Sequence, residues 1–220
     1  IGPLNLEPQT HADSHRLRRP VPRVPMRELE IERFGGAKRF VFVPPDTCSL
    51  DDVHDLVVDP LREWVRPRQP DGRPYTVAQQ LLPPADLDAD LDPVAHMLGL
   101  TSLPNDLDDA RYLELLQRWR IDGSLSVVTR QLADALARHC RYERRDPSGP
   151  FVHALDNFLF ADGDRHGYCM HFASAAALLL RLRGVPCRIG VGLHGGEADN
   201  ADPTVRTFGS QHAHAWVEIP

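Results

Sequence analysis

The chain has 220 residues, 42% of them apolar and 25% charged, which suits folded material filling one large or two small domains. A formal net charge of −6 and a pI near 6.0 argue against general nucleic-acid affinity. No stretch is apolar for long enough to span a bilayer.

Residues 1–25 are rich in Pro and Arg and have little periodicity, so they read as an extended lead-in. The short basic run Arg16-Leu17-Arg18-Arg19 reads as solvated surface. No secretory leader pattern opens the chain, and Ile1-Gly2-Pro3 reads as beginning mid-stream. Alternating apolar residues over 27–34 and 38–43, on either side of Gly35-Gly36-Ala37, predict a hairpin. Residues 44–105 mix Pro and Asp with strand-like runs such as Leu56-Val57-Val58 and Tyr75-Thr76-Val77, which predicts a small β-rich region with long loops. The Asp-alternating run Leu87 to Leu91 lacks the glycine and distal Glu of an EF-hand and reads as polar surface.

From Asp108 the period becomes helical. Tyr112, Leu115, Leu116 and Trp119 form one stripe, and Val127, Val128, Leu132, Leu136 and His139 form a second after Gly123-Ser124. Arg141-Tyr142-Glu143 leads to a break at Pro147-Ser148-Gly149-Pro150 and then to a loop at Asp162–Gly167. Residues 170–183 predict a buried helix, stopped by Gly184 and Pro186. Arg181 and Arg183 lie in its last turn, where positive charge suits the helix dipole. Cys187 to Leu193 reads as a core strand, and residues 213–219 as another. The order of helix, helix, helix, strand, strand predicts an α+β domain with a helix packed on an antiparallel sheet, preceded by the β-rich region.

The chemistry centres on Cys169, in Gly167-Tyr168-Cys169-Met170-His171-Phe172-Ala173-Ser174. At the start of a helix, unpaired backbone N–H groups favour a thiolate and can hold an oxyanion. Cys187 has the setting of a packed core thiol, and neither Cys140 nor Cys48 has a cationic or helix-start setting. With Cys169 free, at most one internal disulfide can form, so the cysteine count leaves the compartment open.

His171, two residues along the same helix, points away from Cys169 and suits packing or a local hydrogen bond. His214 is the better base. On its strand Ala213, Ala215, Val217 and Ile219 share one face, while His212, His214, Trp216 and Glu218 share the other. The two small alanines suit close packing on a helix, and Trp216 can hold and shield the imidazole. His212 and His214 on one face are also compatible with zinc, with His166, His171 and His194 as further donors. No second Cys or carboxylate stands at a recognised ligand spacing, so no metal is assigned.

Four segments resemble the bacterial transglutaminase-like domain, a papain-related cysteine fold, and in particular its TgpA-type group of membrane-anchored proteins. These are Asp156-Asn157-Phe158-Leu159-Phe160, Gly167 to Ala175, Leu180 to Arg188 with Gly195-Gly196-Glu197, and His212-Ala213-His214-Ala215-Trp216-Val217-Glu218. The likeness is specific from about Phe151 onward and extends back to about Asp106. Three departures stand out: Met170 replaces an acidic residue, His212 stands where Asp is common, and the family's third catalytic residue is an Asp downstream of the His strand. Asp202-Pro203-Thr204 has the letters of that last segment but precedes the strand.

The resemblance implies Cys169 as nucleophile and His214 as general base; Tyr168 and Trp216, near them in the sequence, are candidates for lining the oxyanion or acyl site. The activity it implies is thiol-dependent acyl transfer on protein glutamine or peptide amide. No cofactor is implied. The partner would be a protein or peptide substrate and not nucleic acid. The resemblance also implies an extracytoplasmic location, periplasmic or at the cell surface, and a membrane-anchored parent whose membrane contact lies outside these residues. The chain then divides into a lead-in (1–25), a β-rich region (26–105) and a transglutaminase-like domain (106–220) truncated before its third catalytic residue. A cysteine peptidase or amidase using the same residues is a rival reading, as is a non-catalytic domain that binds peptides in the cleft.

Overall fold

The computed structural model describes residues 14–16, 20–33, 41–53, 56–59, 64–67, 72–82, 86, 99–105, 107–144, 151–163 and 165–219. The chain divides into two compact units, Ile1–Ala85 and Asp86–Pro220.

The first unit holds a four-stranded antiparallel sheet built from β1 (Ser14–Arg16), β2 (Met26–Ile31), β3 (Thr47–Asp51) and β6 (Tyr75–Gln80), in the order β1-β3-β6-β2. A separate antiparallel pair, β4 (Leu56–Asp59) and β5 (Trp64–Pro67), contains the expected Leu56–Val58 run. The expected hairpin around Gly35-Gly36-Ala37 is replaced by a longer-range pairing. The partner of β2 is β6, with Leu29 opposite Val77 and Ile31 opposite Tyr75. An alternating pattern fixes which residues face the core but not which strand lies alongside. Residues 41–43 lie in no strand. They are tied down by Tyr75, whose hydroxyl donates to the Phe42 carbonyl (2.9 Å) and accepts from the Phe42 N–H (2.6 Å). Burial pushes the Tyr75 phenol up to about 12. The lead-in also pairs, through β1 on β3, and Gln80 fixes Val21 by bonds to both its N–H and its carbonyl. The rest of that hairpin (34–40) and the whole acidic run at 87–91 lie outside the described residues.

The second unit begins with two helices, α1 (Asp109–Arg118) and α2 (Leu125–His139). The Asp108 carboxylate caps α1 by accepting from the Arg111 N–H. The predicted stripes supply most of the buried faces, Tyr112, Leu115 and Leu116 on α1 and Val128, Leu132 and Leu136 on α2 with Ala135 added, but Val127 of the second stripe is 37% exposed. His139 stays exposed and stacks on Trp119 at 5.1 Å. A short β7 (Arg141–Tyr142) follows, then α3 (Phe151–Phe160), β8 (His166–Gly167), α4 (Cys169–Leu182), β9 (Arg188–Leu193), β10 (Glu197–Ala198), β11 (Arg206–Thr207) and β12 (Ala213–Glu218). Helix α3 is absent from the sequence expectation. Ten residues that are apolar on several sides give no clear period, and the flanking turn signals suggested continuous loop.

Helix α3 is held to α1 through Tyr112, whose hydroxyl donates to Asp156 Oδ1 at 2.7 Å. The Arg111 guanidinium reaches the same carboxylate at 3.6 Å and lies over the Phe160 ring at 3.8 Å. Helix α4 forms the centre of the core, with Ala175, Ala177, Leu178, Leu179 and Leu180 buried against α1, α2 and α3. Its end is closed by bonds from the Val185 N–H to the Leu180 carbonyl and from the Gly184 N–H to the Arg181 carbonyl, with Gly184 at φ +74°. This is the left-handed stop that the glycine predicted.

The other side of α4 rests on the antiparallel pair β9–β12. Val217 and Ile219 pack on the helical core and Ala215 is buried, as the strand alternation predicts, while Ala213 at the start of the strand is exposed. The opposite strand departs from expectation. Ile189 and Val191 of β9 are 37% and 67% exposed, because α4 lies mainly over β12. Pro186 and Cys187, just before β9, are wholly buried.

Candidate functional site

The approach to Cys169 is a stitched turn. β7 and β8 pair in parallel, with Arg141 opposite His166 and Tyr142 opposite Gly167. The Arg141 N–H donates to the Arg165 carbonyl and the Glu143 N–H to the Gly167 carbonyl. These bonds deliver the chain to Tyr168, the N-cap of α4, so Cys169 is the first helical residue. The Tyr168 carbonyl accepts from the N–H groups of His171 (2.9 Å) and Phe172 (3.3 Å). The N–H groups of Cys169 and Met170 precede any intrahelical acceptor and form the positive end of the helix dipole. His171 is 4% exposed, and its Nδ1 accepts from the Tyr168 N–H at 3.4 Å. It serves as a local anchor of the turn, packed against Phe158 and Tyr168.

All four cysteines are free, and Cys169 alone is not buried. Cys140 donates its thiol to the Phe158 carbonyl, and burial pushes it up to about 11. Cys187 donates to the Ala177 carbonyl, and burial raises it too. Cys48 is enclosed in β3, 3.8 Å from the Asp46 carbonyl oxygen. A buried thiol held against a carbonyl is inert; a thiol at a helix start with access to solvent is the kind that reacts.

His214 is the second residue of β12 and stands directly opposite Gly192 of β9. Its half-buried ring has the His194 ring 5.4 Å away on one side along the sheet and the Trp216 ring 6.5 Å away on the other. His212 is engaged elsewhere: its Nδ1 accepts from the Gly209 N–H at 2.9 Å, and its Nε2 is 3.8 Å from Glu197. Among the described residues, no group of three or more His, Cys, Asp or Glu side chains is arranged to hold a metal.

Trp216 lies flat over β9. A Cβ at Gly190 would come within 2.6 Å of the indole nitrogen, and one at Gly192 within 3.0 Å of Cη2. The indole N–H donates to Glu218 Oε1 at 2.9 Å, and the other carboxylate oxygen accepts from Arg188 Nε at 2.7 Å. The N–H of Trp216 is therefore committed, and the ring face is what it can offer to a ligand. Asp202 sits in the exposed turn between β10 and β11, where its Oδ1 accepts from both the N–H and the hydroxyl of Thr204. The Thr204 side-chain bond leads the causes that hold its carboxyl below the usual range.

Residues 124–220, which include α2, the Cys169 turn and the His214 strand, match the family model of the transglutaminase-like superfamily. Over these residues the chain resembles a transglutaminase-like domain. The chain is 29% identical over 227 residues to a protein-glutamine gamma-glutamyltransferase of Pseudomonas aeruginosa, covering 87% of this chain and 33% of that protein. It is 38% identical over 68 residues to the uncharacterized protein YebA of Bacillus subtilis, covering 30% of this chain and 9% of that protein. The chain thus spans a third or less of the length of these two relatives.

The fold is that of the periplasmic domain of TgpA from Pseudomonas aeruginosa, with a TM-score of 0.58 at 21% identity over 96% of this chain and 84% of that one. A crystal structure of the same domain bound to ethylmercury gives 0.54 at 22% identity, over 100% and 86%. Among the described residues, no helix is long and apolar enough to cross a membrane.

Proposed function

We propose that this chain catalyses cysteine-dependent acyl transfer from a protein or peptide amide, with Cys169 as nucleophile and His214 as general base and acid. One observation carries the reading. The one cysteine that is not buried begins helix α4, and that helix packs directly on β12, the strand that bears His214. The family of residues 124–220 and the glutamine transferase among the relatives support it.

The Cys169 sulfur attacks the carbonyl carbon of a glutamine side chain while His214 takes the thiol proton. The first-turn N–H groups of α4 stabilise the oxyanion. The C–N bond breaks, His214 returns the proton to the departing ammonia, and a thioester remains on Cys169. A lysine amine then attacks the thioester, giving an isopeptide bond and restoring the thiol; water in its place gives glutamate. Tyr168 and the face of Trp216 line the acyl site. The two half-reactions need neither a redox step nor a cofactor. The likeness to a periplasmic domain supports an extracytoplasmic site of action.

The test has two parts. Iodoacetamide at pH 7 should label Cys169 much faster than an ordinary thiol, and His214→Ala should abolish the advantage. A glutamine peptide incubated with a labelled amine should then give amine incorporation, while release of free carboxylate alone would assign a hydrolase. Ordinary labelling that does not respond to His214→Ala would overturn the reading.

A further inference from the structure

We propose that Arg188, Glu218 and Trp216 form a clamp that positions the His214 imidazole, with Trp216 as the element that touches its surroundings and the ion pair as the part that fixes Trp216. The proposal rests on the reading of His214 as the base. It adds positioning residues that lie across two strands and outside the nucleophile turn.

The clamp follows from the register of two strands. Arg188 is opposite Glu218, Gly190 opposite Trp216, and Gly192 opposite His214. Because side chains alternate, these six residues share one face of the sheet, away from the Ala215–Val217 face that packs on the helical core. On that face β9 contributes an arginine and two glycines. The glycines remove the side chains that would fill the space the indole occupies. The nitrogen edge of the indole lies over Gly190, where an added Cβ would be 2.6 Å from Nε1 and 2.7 Å from Cε2. Its far edge lies over Gly192, 3.0 Å from Cη2 and 3.6 Å from Cζ3. The ring therefore runs lengthwise along β9, and its carbocyclic end reaches the residue directly across from His214.

That orientation is set at the nitrogen end. Trp216 Nε1 donates to Glu218 Oε1 at 2.9 Å, and Glu218 Oε2 takes Arg188 Nε at 2.7 Å. Each carboxylate oxygen has its own donor, so the carboxylate cannot turn to serve one partner without releasing the other. The ion pair is only partly exposed, at 28% and 33% for the two side chains, so solvent screens it less than a surface pair. The result is a rigid wall beside the imidazole, with ring planes within 22° of parallel. On its other side along the sheet the imidazole meets His194, at 37° and 5.4 Å. A base that must accept a proton on one nitrogen needs a fixed ring direction. Here two flanking rings restrict its rotation, and one of them is locked by a salt bridge two residues further along the strand.

The experiment compares Trp216→Leu, Glu218→Leu and Glu218→Gln in the full chain. The Gln variant keeps an acceptor for the indole and gives up the charge that Arg188 pairs with. The first readout is the pair of His214 ring resonances in a heteronuclear spectrum, assigned by their loss in His214→Gln. This arm needs neither turnover nor a reactive Cys169, so it stands or falls apart from the proposed function. Trp216→Leu and Glu218→Leu should move or broaden the His214 resonances, and Glu218→Gln, which keeps an acceptor for the indole but loses Arg188, should do so to a smaller extent. The second readout is Cys169 alkylation by iodoacetamide, which should slow by about tenfold to a hundredfold in the two Leu variants and by a smaller factor in Glu218→Gln. His214 resonances that stay unchanged in a folded Trp216→Leu chain would overturn the clamp. So would a Glu218→Gln chain that matches wild type on both readouts, because the ion pair would then fix nothing.

Discussion

Gly167→Ala tests how tightly the nucleophile turn is built. Gly167 ends β8, two residues before Cys169, and is buried. An added Cβ would lie 2.8 Å from His171 Cβ, 2.9 Å from His171 Cγ and 3.0 Å from Phe158 Cδ2. None of these is the loose end of a long side chain. His171 is 4% exposed and belongs to the first turn of α4, and Phe158 is 1% exposed in the core. Relief therefore requires β8 to move away from the start of α4, or that turn to move itself. Overpacking of this kind costs about 1–3 kcal/mol. The loss of glycine's freedom in the unfolded chain returns about 0.4–1 kcal/mol, which leaves a net loss of about 1–2 kcal/mol. For a unit of this size that is a fall of about 4–10 °C in Tm. The assay is a thermal melt of the wild type and the variant, with Cys169 alkylation measured on both well below the transition. Because the displaced group is the turn that presents Cys169, the alkylation rate should change as well. A variant that melts within about 1 °C of wild type would refute the reasoning, since the turn would then have room that these contacts deny.

Other outcomes test separate parts of the structure. Brief iodoacetamide treatment of the folded chain should modify Cys169 alone, with Cys48, Cys140 and Cys187 labelled only in denaturant; peptide mapping by mass spectrometry checks this. Leu179→Ala removes a fully buried side chain from α4 and should cost about 2–5 kcal/mol in urea unfolding. Tyr75 has a folded value of about 12 against 10.0 for the free group. The unfolded chain therefore loses this proton first, and stability falls as pH rises through that window, by up to about 3 kcal/mol. Below pH 10 Tyr75 contributes no pH dependence, and a phenolate absorbance titration should show it ionising late. Tyr112→Phe removes the donor to Asp156 and should lower stability by about 1 kcal/mol, measured by denaturant titration.

Much of the second unit was legible in the sequence because its signals are local. The stripes of α1 and α2 need only a period of 3.6 residues, Gly184 marks a left-handed stop by lacking a Cβ, and the alternation of Ala215, Val217 and Ile219 names the face that meets a helix, although Ala213 at its start is exposed. The likeness of the Cys169 and His214 segments to a transglutaminase-like domain was also legible, because motif residues are close in sequence. Helix α3 was not, since its apolar residues point several ways and only burial on α1 and α4 makes the helix the favoured state of that segment.

What the tertiary structure alone decided is pairing. Periodicity cannot choose between a nearby and a distant strand, so only the fold joined β2 to β6 in place of a local hairpin. The exposure of Ile189 and Val191 depends on where α4 lies across the sheet, which no pattern in β9 records. The glycines at 190 and 192 look like weak points in a strand until register sets them under Trp216, and Arg188 and Glu218 are 30 positions apart until two strands run antiparallel. Local sequence specifies conformation and faces. Contacts between distant segments arise only when burial of those faces selects one arrangement, and it is there that the surroundings of His214 are made.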